Sequence, residues 1–304
     1  MTRHINYILV FCTALCHHYA FATDTVLEKQ WSDELVKAAD TGEIVWLDQR
    51  SGKFLSLYKE DTTGSPQGAV IILHTLGAHP NWPEVIAPLR KALPAYGWAT
   101  LSLQMPVMPM NEPIEQHIPL FDEMPERIQS AVSYLQGTGI NNIALIGHGL
   151  GATMGAAYLT TDEESGIKAF VGISMAAYKD LDPRLYSPSS LEQIKLPVLD
   201  IYGGRDLDTV RLTSTARASA ARKAGVTVVQ KQELTPFRQS ATAQAAFSKK
   251  SGFIAYRQFE IPGADHSFTS FEGLLSKRII GWLKQHAGGI TLAKPAHDVT
   301  NQSE

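Results

Sequence analysis

Short apolar runs alternate along this chain with longer segments whose apolar positions recur every three or four residues. The runs at 69–74 (AVIILH), 98–103, 142–146, 167–174 and 197–202 are nearly continuous rather than alternating. Continuous runs predict strands buried on both faces, as in a parallel sheet. Between them, 82–96, 122–135 and 209–224 carry helical spacing; Gly97 closes the first and Asp122 is the expected cap of the second. A last strand at 257–261 and a last helix at 271–286 follow. Strand, loop and helix in repetition predict an α/β fold, a mostly parallel sheet with helices on both faces. Upstream, residues 24–40 place Val26, Leu27, Trp31, Leu35 and Val36 at amphipathic spacing, and two strands at 43–48 and 53–59 flank Gly52 as a hairpin. Residues 104–119 (QMPVMPMNEPIEQHIP) read as a Met- and Pro-rich loop, 235–250 as a polar insertion.

The start of the chain follows another logic. Arg3 and His4 precede an apolar stretch, YILVFCTALC, and then Ala20-Phe21-Ala22, a small-x-small cleavage signal. The stretch is too short to span a bilayer as a stable helix. It predicts a secretory signal over 1–22, cut after Ala22, leaving no stable membrane anchor and a periplasmic or secreted protein. The expected organisation is then an N-terminal helix and hairpin over 23–66, the α/β domain over 67–287 and a loose tail over 288–304. Both cysteines, Cys12 and Cys16, fall inside the signal, so the mature chain has no thiol nucleophile and no disulfide. The net charge of −3 carries no basic bias, which argues against nucleic acid as a partner. The expected partner is a small-molecule ligand or substrate.

The informative run is IALIGHGLGA, residues 143–152. A buried strand enters a glycine turn and leaves as a helix. In α/β hydrolases this place carries G-x-S-x-G, the sharp turn that presents a nucleophile. Gly147 and Gly151 fill the flanks, but the middle residue is Gly149, which has no side chain to attack with. The same letters fit the dinucleotide fingerprint G-x-G-x-x-A, which expects an acid at the end of the next strand. That strand ends near Ser174, and the first acid beyond is Asp180, so the nucleotide reading is the lesser one.

Two downstream segments favour the hydrolase frame. DIYGGRD ends a strand in a turn at Asp206, and IPGADHSF places His266 in a loop before the last helix. The order Gly149, Asp206, His266 is the hydrolase order of nucleophile, acid and histidine. Thr75, after the first apolar strand, and Leu150, after the turn, are the expected backbone donors to an oxyanion. Met105 and Met108 in the loop over the strand ends, with His148, are the expected ligand contacts. Ser102, Ser174 and Ser267 read as ordinary strand-end or loop hydroxyls. No HExxH, HxH or CxxC spacing occurs, so neither metal nor cofactor is expected. A His–Asp pair without a nucleophile can still act as a general base. The sequence thus leaves two functions open, a general-base hydrolase of an ester- or acyl-type small molecule and a non-catalytic ligand-binding pseudoenzyme.

The stretches GAVIILHTLGAHPNWPEVIAPLRKALPAYGWATLSL, IALIGHGLGA, LPVLDIYGGRDLDTVR and YRQFEIPGADHSF resemble a bacterial exported family catalogued as a domain of unknown function. They fall within residues 68–286. The resemblance implies an α/β-hydrolase fold, export, a glycine at the elbow and the elbow–acid–histidine frame. It implies no substrate.

Overall fold

The computed structural model describes residues 23–38, 42–161, 165–233 and 256–288. The expected signal, the polar insertion at 235–250 and the tail from 289 lie outside the described residues. Among those described, no helix is long and apolar enough to cross a membrane.

Eight strands form one sheet in the order β1-β2-β4-β3-β5-β6-β7-β8. They are β1 (Glu43–Gln49), β2 (Gly52–Lys59), β3 (Gly68–Leu73), β4 (Trp98–Leu103), β5 (Ile143–His148), β6 (Ile167–Ile173), β7 (Val198–Gly203) and β8 (Tyr256–Ile261). β1 and β2 pair antiparallel, as do β2 and β4; every pairing from β4 to β8 is parallel. The N-terminal hairpin is therefore an edge of the main sheet.

Alternation along each strand divides the core. Ala69, Ile71 and Leu73 point to the face covered by α3 (Leu120–Gly137) and α4 (Leu150–Thr161). Val70 and Ile72 point to the face covered by α2 (Ile86–Ala92) and, after the last strand, by the helix Glu272–His286. Successive strand residues face opposite ways, so a continuous apolar run feeds two cores at once. Among the described residues α4 is buried through most of its length, which explains why it carries small residues and no polar stripe.

Three boundaries differ from expectation. The helix expected over 82–96 begins at Ile86 and tightens to a 3₁₀ turn at Leu93–Tyr96, where Pro94 withholds a backbone donor. Asp122 lies in the first turn of α3 rather than capping it, and it pairs with Arg184 at 2.6 Å. The helix expected over 209–224 divides into Asp208–Arg211 and Ser214–Glu233. Helix α1 (Thr25–Lys37) is capped by Asp24, whose carboxylate accepts from the Val26 and Leu27 amides. Its Glu28 pairs with the buried Arg127 at 2.9 Å, fastening α1 to α3.

From β3 the chain crosses to β4 on one side and returns to β5 on the other. At such a reversal the loops leave the sheet in opposite directions and open a crevice beyond the carboxyl ends of the strands. Thr75 and Gly149 border that crevice.

Candidate active site

Four strand ends build the site: β3 supplies Thr75, β5 Gly149, β7 Asp206 and β8 His266. The loops after β7 and β8 are laced together. Gly204 and Arg205 donate backbone hydrogen bonds to Ile261 and Ala264, both at 2.9 Å. A Cβ on Gly203 would lie 2.8 Å from the Asp265 carbonyl oxygen, so the absence of a side chain permits this approach. The two loops set Asp206 Oδ1 2.7 Å from His266 Nδ1.

Asp206 is held from every side. Its Oδ1 also accepts from the Leu207 amide, and its Oδ2 accepts from the Gly203 amide and the Ser174 hydroxyl. Burial pushes its pKa up, but the hydrogen bonds from His266 and Ser174 outweigh burial and hold it below the usual carboxylate value. An ionised Asp206 keeps the proton of a neutral His266 on Nδ1. The Nε2 lone pair is then directed at the crevice. Ser174, read from sequence as a plain strand-end hydroxyl, is the third member of this network. Its role depends on β6 lying beside β7, which no local pattern announces.

Gly149 has φ 54°, a left-handed conformation glycine adopts without cost. Its amide donates to the Ile173 carbonyl at 2.9 Å and is not free to hold a phosphate, as the dinucleotide reading required. A turn without a side chain would by itself leave open space above it, but here that space is filled. A Cβ built on Gly149 would overlap the Thr75 hydroxyl oxygen, with Thr75 Cβ at 2.9 Å and His266 Nε2 at 3.3 Å. A side chain from the neighbouring strand end fills the place a nucleophile would take. Thr75 itself is fixed through its carbonyl, which accepts from the Ala78 amide at 3.2 Å and from His74 Nδ1 at 2.8 Å.

Leu150 opens α4, and the first amides of a helix lack intrahelical partners. Leu150 lines the cavity, and its N–H lies at the positive end of the helix dipole. His148 lies behind the turn. It is buried, its ring centroid stands 4.9 Å from that of His266, and its Nε2–H donates to the His266 carbonyl at 3.0 Å. Its contact is thus with the His266 backbone as well as with the cavity. Met105 and Met108 do not reach the cavity above Gly149. Met105 is buried with its amide donating to His74 Nε2, and Met108 packs on the core. Met110 lines the cavity instead, lying over Gly77. The loop's first residues dive under the surface, so the loop lines the cavity at a later residue than the sequence suggested. Ser267 bonds Glu84, and Ser102 is buried inside β4. Among the described residues no cluster of His, Cys, Asp or Glu is arranged to hold a metal.

The cavity measures about 270 Å³. Its walls include Leu76, Trp82, Glu84, Ile114, Tyr178 and Leu207, with Gly149 and His266 at its floor, and among the described residues no lysine or arginine lines it. An apolar pocket with a few convergent polar groups is the usual form of a small-molecule site.

Burial lowers the pKa of His74 and of His148 from 6.5 to about 3, so both stay neutral in the fold. The unfolded chain protonates them near 6.5, so the unfolded state gains protons first as pH falls. The stability they contribute is complete above that value and declines down to about pH 3. Lowering the pH from about 7 to about 5 is expected to cost about 2 kcal/mol per histidine, read as a fall in the urea midpoint. An unchanged midpoint would contradict the buried neutral assignment.

A model of the family described as "Protein of unknown function (DUF3530)" matches residues 26–120 and 115–253. This chain belongs to that family. Solved structures place the DUF3530 chain among α/β hydrolases by fold. The esterase Pf2001 from Pyrococcus furiosus is 16% identical with a TM-score of 0.57, covering 84% of this chain and 93% of that one. Est1E from Butyrivibrio proteoclasticus is 15% identical with a TM-score of 0.52, covering 80% and 98%. XC6422 from Xanthomonas campestris, described as an a/b serine hydrolase without lid, is 12% identical with a TM-score of 0.52, covering 83% and 98%. A search of the curated proteins finds no match.

Proposed function

We propose that this DUF3530 protein is an exported hydrolase of small, neutral ester- or acyl-type molecules, with His266 as general base and Asp206 as its orienting partner. The observation that carries the reading is the 2.7 Å His266–Asp206 pair, whose Nε2 side faces the Gly149 turn at the floor of an apolar cavity. A neutral rather than an anionic substrate is favoured because, among the described residues, the cavity walls carry Glu84 and offer no lysine or arginine to a carboxylate or phosphate. The Leu150 amide is suited to the developing oxyanion, with the Thr75 amide as second donor. The reading predicts turnover of p-nitrophenyl acetate or butyrate that is lost on substitution of His266. A ligand-binding pseudoenzyme is the second reading, favoured by the absent side chain at Gly149. It predicts thermal shifts with apolar ligands and no turnover of any ester.

Export is part of the proposal and has its own check. Thr23 is buried at 7% exposure, its hydroxyl engages the Val107 backbone, and its nitrogen lies 3.3 Å from Glu123 Oε1. Cleavage after Ala22 turns that nitrogen into an α-ammonium beside a carboxylate. N-terminal sequencing of the protein recovered from the periplasm is expected to begin Thr-Asp-Thr-Val. An intact Met1 in the mature protein would overturn export.

A further inference from the structure

We propose that Thr75 is the nucleophile of this site, its hydroxyl taking over from the serine that Gly149 replaces. The inference rests on the hydrolase reading above and adds the attacking atom to it. The Thr75 oxygen lies little more than a bond length from where a Cβ of residue 149 would stand, and His266 Nε2 lies 3.3 Å from that same point. The hydroxyl therefore stands where the side chain of an elbow serine would begin, brought there from the β3 end instead of the β5 turn. Glycine at 149 is what makes room for it, since any side chain there would displace Thr75. Neither the Thr75 hydroxyl nor His266 Nε2 is engaged by another group among the described residues, whereas the Thr75 backbone is clamped by Ala78 and by the buried His74. A fixed backbone with an uncommitted hydroxyl on the same side of the turn as a base supplies a nucleophile once substrate brings the two within hydrogen-bond reach. Both residues line the apolar cavity.

The chemistry balances without any further reactant than ester and water. His266 Nε2 takes the Thr75 hydroxyl proton as Oγ1 bonds the carbonyl carbon, and the carbonyl electron pair moves onto oxygen, facing the Leu150 amide. Collapse breaks the bond to the leaving alkoxide, which receives the proton from Nε2. Water then gives a proton to Nε2 and attacks the acyl-threonine carbon. Breaking of the Oγ1–carbon bond frees the acid, and Thr75 recovers its proton from Nε2. Asp206 keeps Nδ1 protonated throughout and stabilises the transient imidazolium.

The test is mass spectrometry of the full mature protein after a fluorophosphonate, together with turnover of p-nitrophenyl acetate. Wild type is expected to carry one adduct, mapping to Thr75. Thr75→Ser should keep both adduct and turnover, whereas the near-isosteric Thr75→Val should lose the adduct and lower kcat on the order of 10³-fold or more. If Thr75→Val fails to fold, the position of the wild-type adduct decides by itself. An adduct elsewhere overturns the inference. Folded Thr75→Val with wild-type turnover, while His266→Ala has none, also overturns it and leaves the general-base reading standing with water as nucleophile. Wild type without turnover and without adduct overturns both.

Discussion

Replacement of His266 by alanine is expected to lower kcat/KM for p-nitrophenyl esters about 10²–10⁴-fold while leaving the fold intact. The size follows from what the side chain does. In the proposed mechanism it is the base, its ring oriented by a buried carboxylate, and the Nε2 lone pair has no substitute among the atoms nearest the Gly149 turn. The stability cost should be small, because the ring is 26% exposed and its main partner, Asp206, keeps three other donors. His266→Gln would preserve packing but not proton transfer and should lose a similar factor. A His266→Ala protein with wild-type kcat/KM would remove the pair from the mechanism.

The second large effect concerns stability. Asp200 and Arg217 are both fully buried and paired at 2.8 Å, joining β7 to the helix Ser214–Glu233. Asp200 Oδ2 also accepts from the Tyr256 hydroxyl and Gln258 on β8, and Arg217 donates to the Val210 carbonyl and the Thr213 hydroxyl. Asp200→Ala leaves the guanidinium in the interior without its counter-charge. Breaking a buried pair by removing one partner costs about 3–5 kcal/mol, more than the pair is worth relative to apolar replacements. Urea unfolding of Asp200→Ala should show a loss of that order, and Asp200→Ala with Arg217→Met should recover most of it. A single-variant loss below about 1 kcal/mol would mean that water reaches the guanidinium. Since Asp206 follows β7 directly, a loosened β7 should also reduce turnover in the surviving folded fraction.

The strands and their burial were legible because continuous apolar runs leave few alternatives to a doubly covered parallel sheet. Gly149, Asp206 and His266 were legible for a related reason: each sits where a strand stops, and the chain order sorts them. The residues that escaped are those whose role depends on which strand lies beside which. Thr75 reads locally as a loop residue with a useful amide, and its hydroxyl matters because β3 and β5 are neighbours. Ser174 reaches Asp206 through the β6–β7 pairing in the same way. Asp200 and Arg217 are 17 positions apart and meet only when the helix folds back on its strand. Met110, and not Met105 or Met108, lines the cavity above Gly149, because composition marks a loop without telling which of its residues turn inward. Pattern reveals which face of an element is buried, while sheet order decides which strand ends share a crevice.

The account stands on an elbow at Gly149 that faces a working His266–Asp206 pair. Restoring the missing serine tests this most directly. Gly149→Ser alone should destabilise the protein, since its side chain overlaps Thr75 and takes up a left-handed backbone. Gly149→Ser combined with Thr75→Gly removes the overlap. The double variant is expected to react with a fluorophosphonate at the introduced serine, far faster than Thr75→Gly alone, and to lose that reaction when His266 is also replaced by alanine. A folded double variant no more reactive than Thr75→Gly would show that the turn and the histidine do not face each other.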